Sequence, residues 1–233
     1  MGRSEPANRP RVPLSKERVL GAAVELADRE GLEACAMRRL ADELGVGVMS
    51  LYYYVSSKDE LIAGMVDVVF DEIELPSTDG DWKMAMRQCA ISKRNVLNRH
   101  RWAIGLLESQ ATPGPASFRV HNAELGYLRQ AFSVEMTIQA CSVLDAYIYG
   151  FALQEKMAPF EDAEGAAALA EQQAREFEAQ AEQEQLAALA DEFPYLAEVV
   201  AGHVAEVGYD FTTAFEYGLD LILEALDKRR DTA

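Results

Sequence analysis

The side chains with the most chemistry to offer lie in residues 36–60, AMRRLADELGVGVMSLYYYVSSKDE. Leu40, Ala41 and Leu44 share one face of a short helical pattern. Gly45 follows at a position where a left-handed backbone costs little. Leu51 and Val55 repeat at i+4 in a second short pattern, which leaves Ser50, Tyr52, Tyr53 and Tyr54 for the sides and the outer face. A helix, a glycine turn and a second helix with outward polar aromatics form the pattern of a helix-turn-helix. The second helix of that motif enters the DNA major groove. The chemistry is therefore recognition rather than catalysis. His100, His121 and His203 are far apart and lack partners at metal-ligand spacing, so capping or surface positions are expected for them. Cys35, Cys89 and Cys141 are odd in number, show no CxxC, and read as buried, reduced thiols. Neither a glycine-rich phosphate loop nor a nucleophile elbow occurs. No enzyme activity, metal or cofactor is expected.

The elements that must hold this motif are legible on both sides. A helix over 16–29 is capped by Ser15, with Leu14 and Val19 placed for a hydrophobic staple, and Gly31 ends it. Its stripe is Leu20, Ala23, Val24 and Ala27. Ser57-Lys58-Asp59-Glu60 is a capping box that opens a further helix. Leu61, Ile62, Met65, Val66, Val69 and Phe70 give that helix an apolar face wide enough to touch both the motif and the C-terminal part of the chain. It is expected to link the two parts mechanically. Leu75-Pro76-Ser77 breaks the pattern, so the DNA-binding domain spans 14–75. Residues 1–13, with Arg3, Arg9 and Arg11, read as a flexible basic arm, either a plain terminus or a reach toward DNA.

A net charge of −17 is unusual for a DNA binder, but it is unevenly spread. Residues 1–60 carry nine Lys/Arg against ten Asp/Glu, and residues 61–233 thirteen against twenty-nine. Phosphates would repel the acidic part, so any DNA contact belongs to the first third. The N-terminus has no apolar signal core, and no apolar run reaches membrane-spanning length, so a cytoplasmic protein without a membrane partner is expected.

The stretch RRLADELGV-x-x-x-SLYYYV-x-SKDEL resembles the signature of the tetracycline-repressor (TetR) family of transcriptional regulators. The resemblance covers residues 14–75 in order and spacing. More loosely, it covers 129–155, FPYLAEVV and the terminal DFTTAFEYGLDLILEAL. It implies an all-α fold: a three-helix helix-turn-helix domain, then a larger helical domain over 76–233 that dimerises through a four-helix bundle. It also implies DNA contacts. Tyr52, Tyr53 and Lys58 suit phosphate oxygens, as does Arg38 at the start of the motif's first helix. Ser50 could reach a base edge, and Tyr54 either meets DNA or packs inward. Val48 and Met49 lead the recognition helix where many relatives carry polar residues. Lacking donors, they are restricted to a thymine methyl or to shape. Ala36 stands where the family usually has a Ser or Thr cap, at a cost of about 1 kcal/mol of helix stability.

Two further expectations concern residues 76–233. Trp82, Met86, Trp102, Phe118 and Tyr147 accompany the isolated polar groups Gln110, His121, Asn122 and Asp145, a mixture that suits a mostly apolar effector pocket and equally a plain core. Phe211, Phe215, Leu219, Ile222 and Leu226 form one stripe on the terminal helix. With a helix over 135–156, apolar nearly all round and expected to be buried on several sides, they could pair across a two-fold axis or close the core of one chain. A pair of helix-turn-helices needs the two-fold. Residues 157–192, rich in Ala, Glu and Gln, read as a solvated helix. The resulting expectation is a regulator, a repressor by family habit, that binds a palindromic operator as a homodimer and is released by a small, largely apolar effector. The alternative is a dimeric helical ligand-binding or adaptor protein without DNA binding, against which the intact recognition helix and Lys58 argue.

Overall fold

The computed structural model describes residues 13–76, 80–106, 113–158, 190–199 and 209–230, with single positions between 158 and 190. Among these the structure is all-α: α1 (Lys16–Glu30), α2 (Met37–Leu44), α3 (Val48–Tyr52), α4 (Lys58–Asp71), α5 (Trp82–Arg99), α6 (Pro115–Arg129), α7 (Val134–Met157), α8 (Pro194–Val199) and α9 (Phe211–Asp227). Most of 157–192, read as a solvated helix, residues 1–12 of the arm read as 1–13, and Gln110 lie outside the described residues.

Local chemistry sets the boundaries. Ser15 accepts from the Arg18 N–H and starts α1. Gly45, at φ 65°, ends α2 in the left-handed conformation that only glycine enters freely. α2 begins at Ala36 with no side-chain cap, as expected from the sequence. Ser57 accepts from the Glu60 N–H, and Glu60 reaches back to the N–H and hydroxyl of Ser56 rather than to Ser57. Pro115 opens α6, where its missing N–H costs nothing. Residues 100–106 form turns.

The chain divides into two compact units, Met1–Ile73 with Arg99–His121 and Glu74–Asn98 with Asn122–Ala233. In the first unit, α1, α2, α3 and α4 close on a core that includes Val19, Ala23, Leu26, Leu40, Leu51, Val55, Leu61 and Met65. His100, read as a capping or surface residue, is buried. Its Nδ1 lies 2.9 Å from Asp28 and its Nε2 3.2 Å from Glu72. Trp102 donates to the same Asp28 at 2.7 Å, so the 100–106 turn is pinned to α1. On α4, Asp67 accepts from the Ala116 and Ser117 N–H groups and caps α6 from outside, in place of a side chain on Gly114.

In the second unit, α7 turns one face inward: Thr137, Ala140, Leu144, Ile148, Phe151, Ala152 and Glu155. Burial on several sides does not hold within one chain, because Val134, Ile138, Val143, Leu153 and Met157 are exposed. α7 is also long and apolar enough, by length and composition, to cross a membrane, contrary to the sequence reading. Its buried face instead carries Glu155, which Arg94 of α5 holds at 2.5 Å and Asn98 at 3.1 Å. Arg94 further lies over the rings of Phe151 and Phe215, which ties α5, α7 and α9 together.

Candidate functional site

The first unit presents α3 outward. Leu51 and Val55 are fully buried, and Val48 packs partly against the core. What remains outside is Met49 (81% exposed), Ser50, Tyr52 (44%) and Tyr53 (86%). Tyr54 packs inward: it is half-buried, and its hydroxyl donates to the Leu14 carbonyl at 2.7 Å. Its ring meets Tyr53 edge to face.

Charge sorts the flanking residues. Lys16 pairs with Glu60, Arg29 with Glu43 and Arg39 with Glu30. Arg38 and Lys58 are exposed and have no ion-pair partner among the described residues. An unpaired guanidinium and ammonium in the same unit as exposed phenols suit a phosphate backbone, since no internal pair must be broken first.

The second unit holds a buried charged cluster that sequence reasoning missed. Lys93 and Glu124, 1% and 2% exposed, lie 2.5 Å apart, and Asp145 reaches the same ammonium at 3.0 Å. Burial by itself would push the Lys93 pKa down. Glu124, Tyr149 and Asp145 outweigh that and keep Lys93 protonated. Cys89 and Cys141 border the cluster and donate to Glu124 and Asp145. Burial, with those carboxylates, pushes both thiols up to about 12, so they are not the thiolates that nucleophilic or metal chemistry needs. Burial likewise pushes Tyr149 up to about 12. The second oxygen of Glu124 is buried without a hydrogen-bond partner. One ammonium thus faces two carboxylates, and one buried acceptor is open. The signal was present in the sequence, because Lys93 continues the Trp82, Met86, Cys89 phase of α5, where a charge can only be buried.

Of the nine residues read as an effector pocket, Gln110 lies outside the described residues and the other eight divide between the two units. Trp82, Met86, Asp145 and Tyr147 belong to the second unit, where Trp82 packs edge to face on Phe132 and Tyr147 donates to the Phe215 carbonyl. Asn122 belongs to the same unit but is exposed. Trp102, Phe118 and His121 belong to the first unit. There Phe118 is 61% exposed, and His121 donates to the Ser117 carbonyl of its own helix. The first unit also has a cleft of about 550 Å³ between Leu20 of α1, Gly64 and Asp67 of α4, and Ala116 of α6.

On α9, Phe215, Leu219 and Leu226 are buried within the chain, and Phe211 and Ile222 are half-buried. Phe215 stacks on Tyr147 of α7, so Phe215 and the fully buried Leu219 pack within one chain, while Phe211 and Ile222 keep part of their surface open. The exposed apolar side chains of α9 are Tyr217 and Leu221.

Residues 19–65 match the family model described as bacterial regulatory proteins, tetR family, and residues 75–230 match the tetracyclin repressor-like C-terminal domain. The chain is 36% identical over 150 residues to the HTH-type transcriptional repressor DrrR1 of Streptomyces coeruleorubidus, covering 63% of this chain and 56% of that one. It matches a Saccharopolyspora erythraea regulator over 48% of that protein, so the match spans about half the length of these relatives. The tetracycline repressor class C of Escherichia coli is 29% identical over 94% of this chain and 93% of its own. Among solved structures, Streptomyces coelicolor ActR in complex with actinorhodin superposes with a TM-score of 0.72 at 27% identity, covering 92% and 95% of the two chains.

Proposed function

Because the chain belongs to the TetR family of bacterial regulatory proteins, we propose that it represses transcription by binding a near-palindromic operator as a homodimer and that a small effector releases it. The carrying observation is α3, which leaves Met49, Ser50, Tyr52 and Tyr53 outward, with Arg38 and Lys58 exposed and unpaired in the same unit. Tyr52, Tyr53, Arg38 and Lys58 hold phosphates and set the register, and Ser50 meets a base edge. Tyr54 is left to position α3 against Leu14. The DNA-binding domain comprises 14–75, and residues 76–233 take the effector and the second copy. Acting on chromosomal DNA places the chain in the cytoplasm.

The effector is largely apolar and meets the Lys93–Glu124–Asp145 cluster, where it offers a hydrogen-bond donor to the open oxygen of Glu124. Met86 and Trp82 supply apolar wall on α5. ActR holds actinorhodin, which makes that compound a first probe. The dimer seam uses the outward faces of α7 and α9, with Leu153, Met157, Tyr217 and Leu221, since these apolar side chains have no cover within one chain.

The test is a mobility shift with duplexes selected from a random pool by the full chain. Selected palindromes bound at low salt, with affinity falling as salt rises, are expected. Failure to retain any duplex at low salt would leave the non-DNA-binding ligand-binding or adaptor reading in possession of the fold.

A further inference from the structure

The recognition helix has an unusual reading surface. It is five residues long, and its side chains divide cleanly. Val48 and Leu51 turn to the core, Tyr52 and Ser50 face out, and Met49 is 81% exposed at the leading turn. Gly47, the residue before α3, brings no side chain to this turn, and an added Cβ there would meet only the Ser50 hydroxyl, at 4.0 Å. No Arg, Lys, Asn or Gln occurs between Val46 and Val55. The long side chains that read guanine or adenine in bidentate fashion are therefore missing from this helix. One mark in the major groove can be read without a donor or acceptor, and it is the 5-methyl group of thymine.

We infer that Met49 reads the 5-methyl group of a thymine in each half of the operator, so that part of this chain's sequence preference depends on a methyl group and not on a hydrogen bond. The inference rests on the DNA-binding reading above. The thioether is flexible and polarizable, which lets it settle on a methyl whose position shifts with local groove geometry. In the free chain this apolar surface is left to water, and contact with the methyl removes it. Arg38 and Lys58 grip phosphates, which fixes the register without naming a base, so the methyl contact supplies discrimination where these cations supply affinity. Burying one methyl-sized group corresponds to about a fourfold effect per half-site and roughly fifteenfold for the two together.

The full chain is used to select palindromic duplexes. Each thymine of the selected site is then replaced in turn by deoxyuridine, which removes the methyl and leaves pairing intact. Wild type should lose about fourfold at one position per half-site. Met49→Ala should bind the thymine and deoxyuridine duplexes equally at that position, and Met49→Leu should keep the preference. Met49 is exposed, so both variants should unfold at the wild-type temperature. A selected palindrome in which Met49→Ala leaves every thymine-to-deoxyuridine effect unchanged, or in which wild type shows no such effect, overturns the inference while DNA binding stands. Selection of no duplex at all overturns the DNA-binding reading and this inference with it.

Discussion

At Lys58 the ammonium has nothing inside the described chain to hold it, and this separates it from Lys16, Arg29 and Arg39, whose partners are Glu60, Glu43 and Glu30. Lys58→Ala should weaken binding to all duplexes alike and lower the slope of log affinity against log salt by about one. An unchanged slope would remove Lys58 from the phosphate contacts. Glu60 is the counterpart on the stability side. The Lys16 ammonium, then the Ser56 N–H and hydroxyl, hold its carboxyl down to about 2. A depressed carboxylate contributes stability above its unfolded pKa of 4.5, and that contribution fades as pH falls toward about 2. Thermal melts of wild type and Glu60→Gln should therefore differ at pH 6, draw together below pH 4.5 and converge only at about pH 2. A gap that persists at low pH would mean that packing, and not ionisation, is lost. Residue identity carried both readings because each depends on local spacing: Ser57 to Glu60 is one turn, and Lys58 opens the helix. Lys93 and Glu124 escaped for the opposite reason, since they lie 31 positions apart on different helices and neither needs the other until α5 and α6 pack.

At the scale of elements, α9 has two faces that differ in what covers them. Leu219 is fully buried against the same chain, whereas Leu221, two residues on, is 51% exposed. Gly218 lies where an added Cβ would run into the Tyr147 hydroxyl, so α7 and α9 approach closely on the Leu219 side. Leu219→Glu buries an unpaired charge inside one chain and should unfold it. Leu221→Glu should leave a folded protein that sediments as a monomer. If Leu221→Glu remains dimeric, the seam lies elsewhere. The stripe Phe211, Phe215, Leu219, Ile222, Leu226 was legible as a stripe because helical periodicity depends on sequence alone. Which neighbour it meets was not, since an apolar face is equally satisfied by its own chain or by a second copy.

At the scale of the whole molecule, release of DNA by an effector requires that the effector bind the DNA-incompetent state more tightly. The coupling is then reciprocal, with a typical size of about 1–3 kcal/mol. If actinorhodin binds the chain, saturating operator duplex should weaken that binding by the same factor by which the compound weakens operator binding. Equal compound affinity with and without operator would leave the pocket and remove the switch. Acidic charge bears on the same scale, since residues 61–233 carry −16, which should repel phosphates and leave DNA contact to the first sixty residues.

The sequence by itself determined whatever depends on near neighbours. The caps at Ser15 and Ser57, the left-handed Gly45, the inward Leu51 and Val55, and the short α3 all derive from spacing within one or two turns. These suffice to specify a helix-turn-helix, and family membership rests on the same stretch together with residues 75–230. Tertiary structure alone decided the pairings across long separations. Asp28 holds His100 and Trp102 across more than seventy residues, and Asp67 caps a helix that begins about fifty residues later. It also moved Trp102, Phe118 and His121 into the first unit and brought Lys93, Glu124 and Asp145 together in the second. The physical reason is that a helix advertises which of its faces is apolar, but not which partner will cover that face, and a buried charge becomes a site only once its counter-charge arrives from another element.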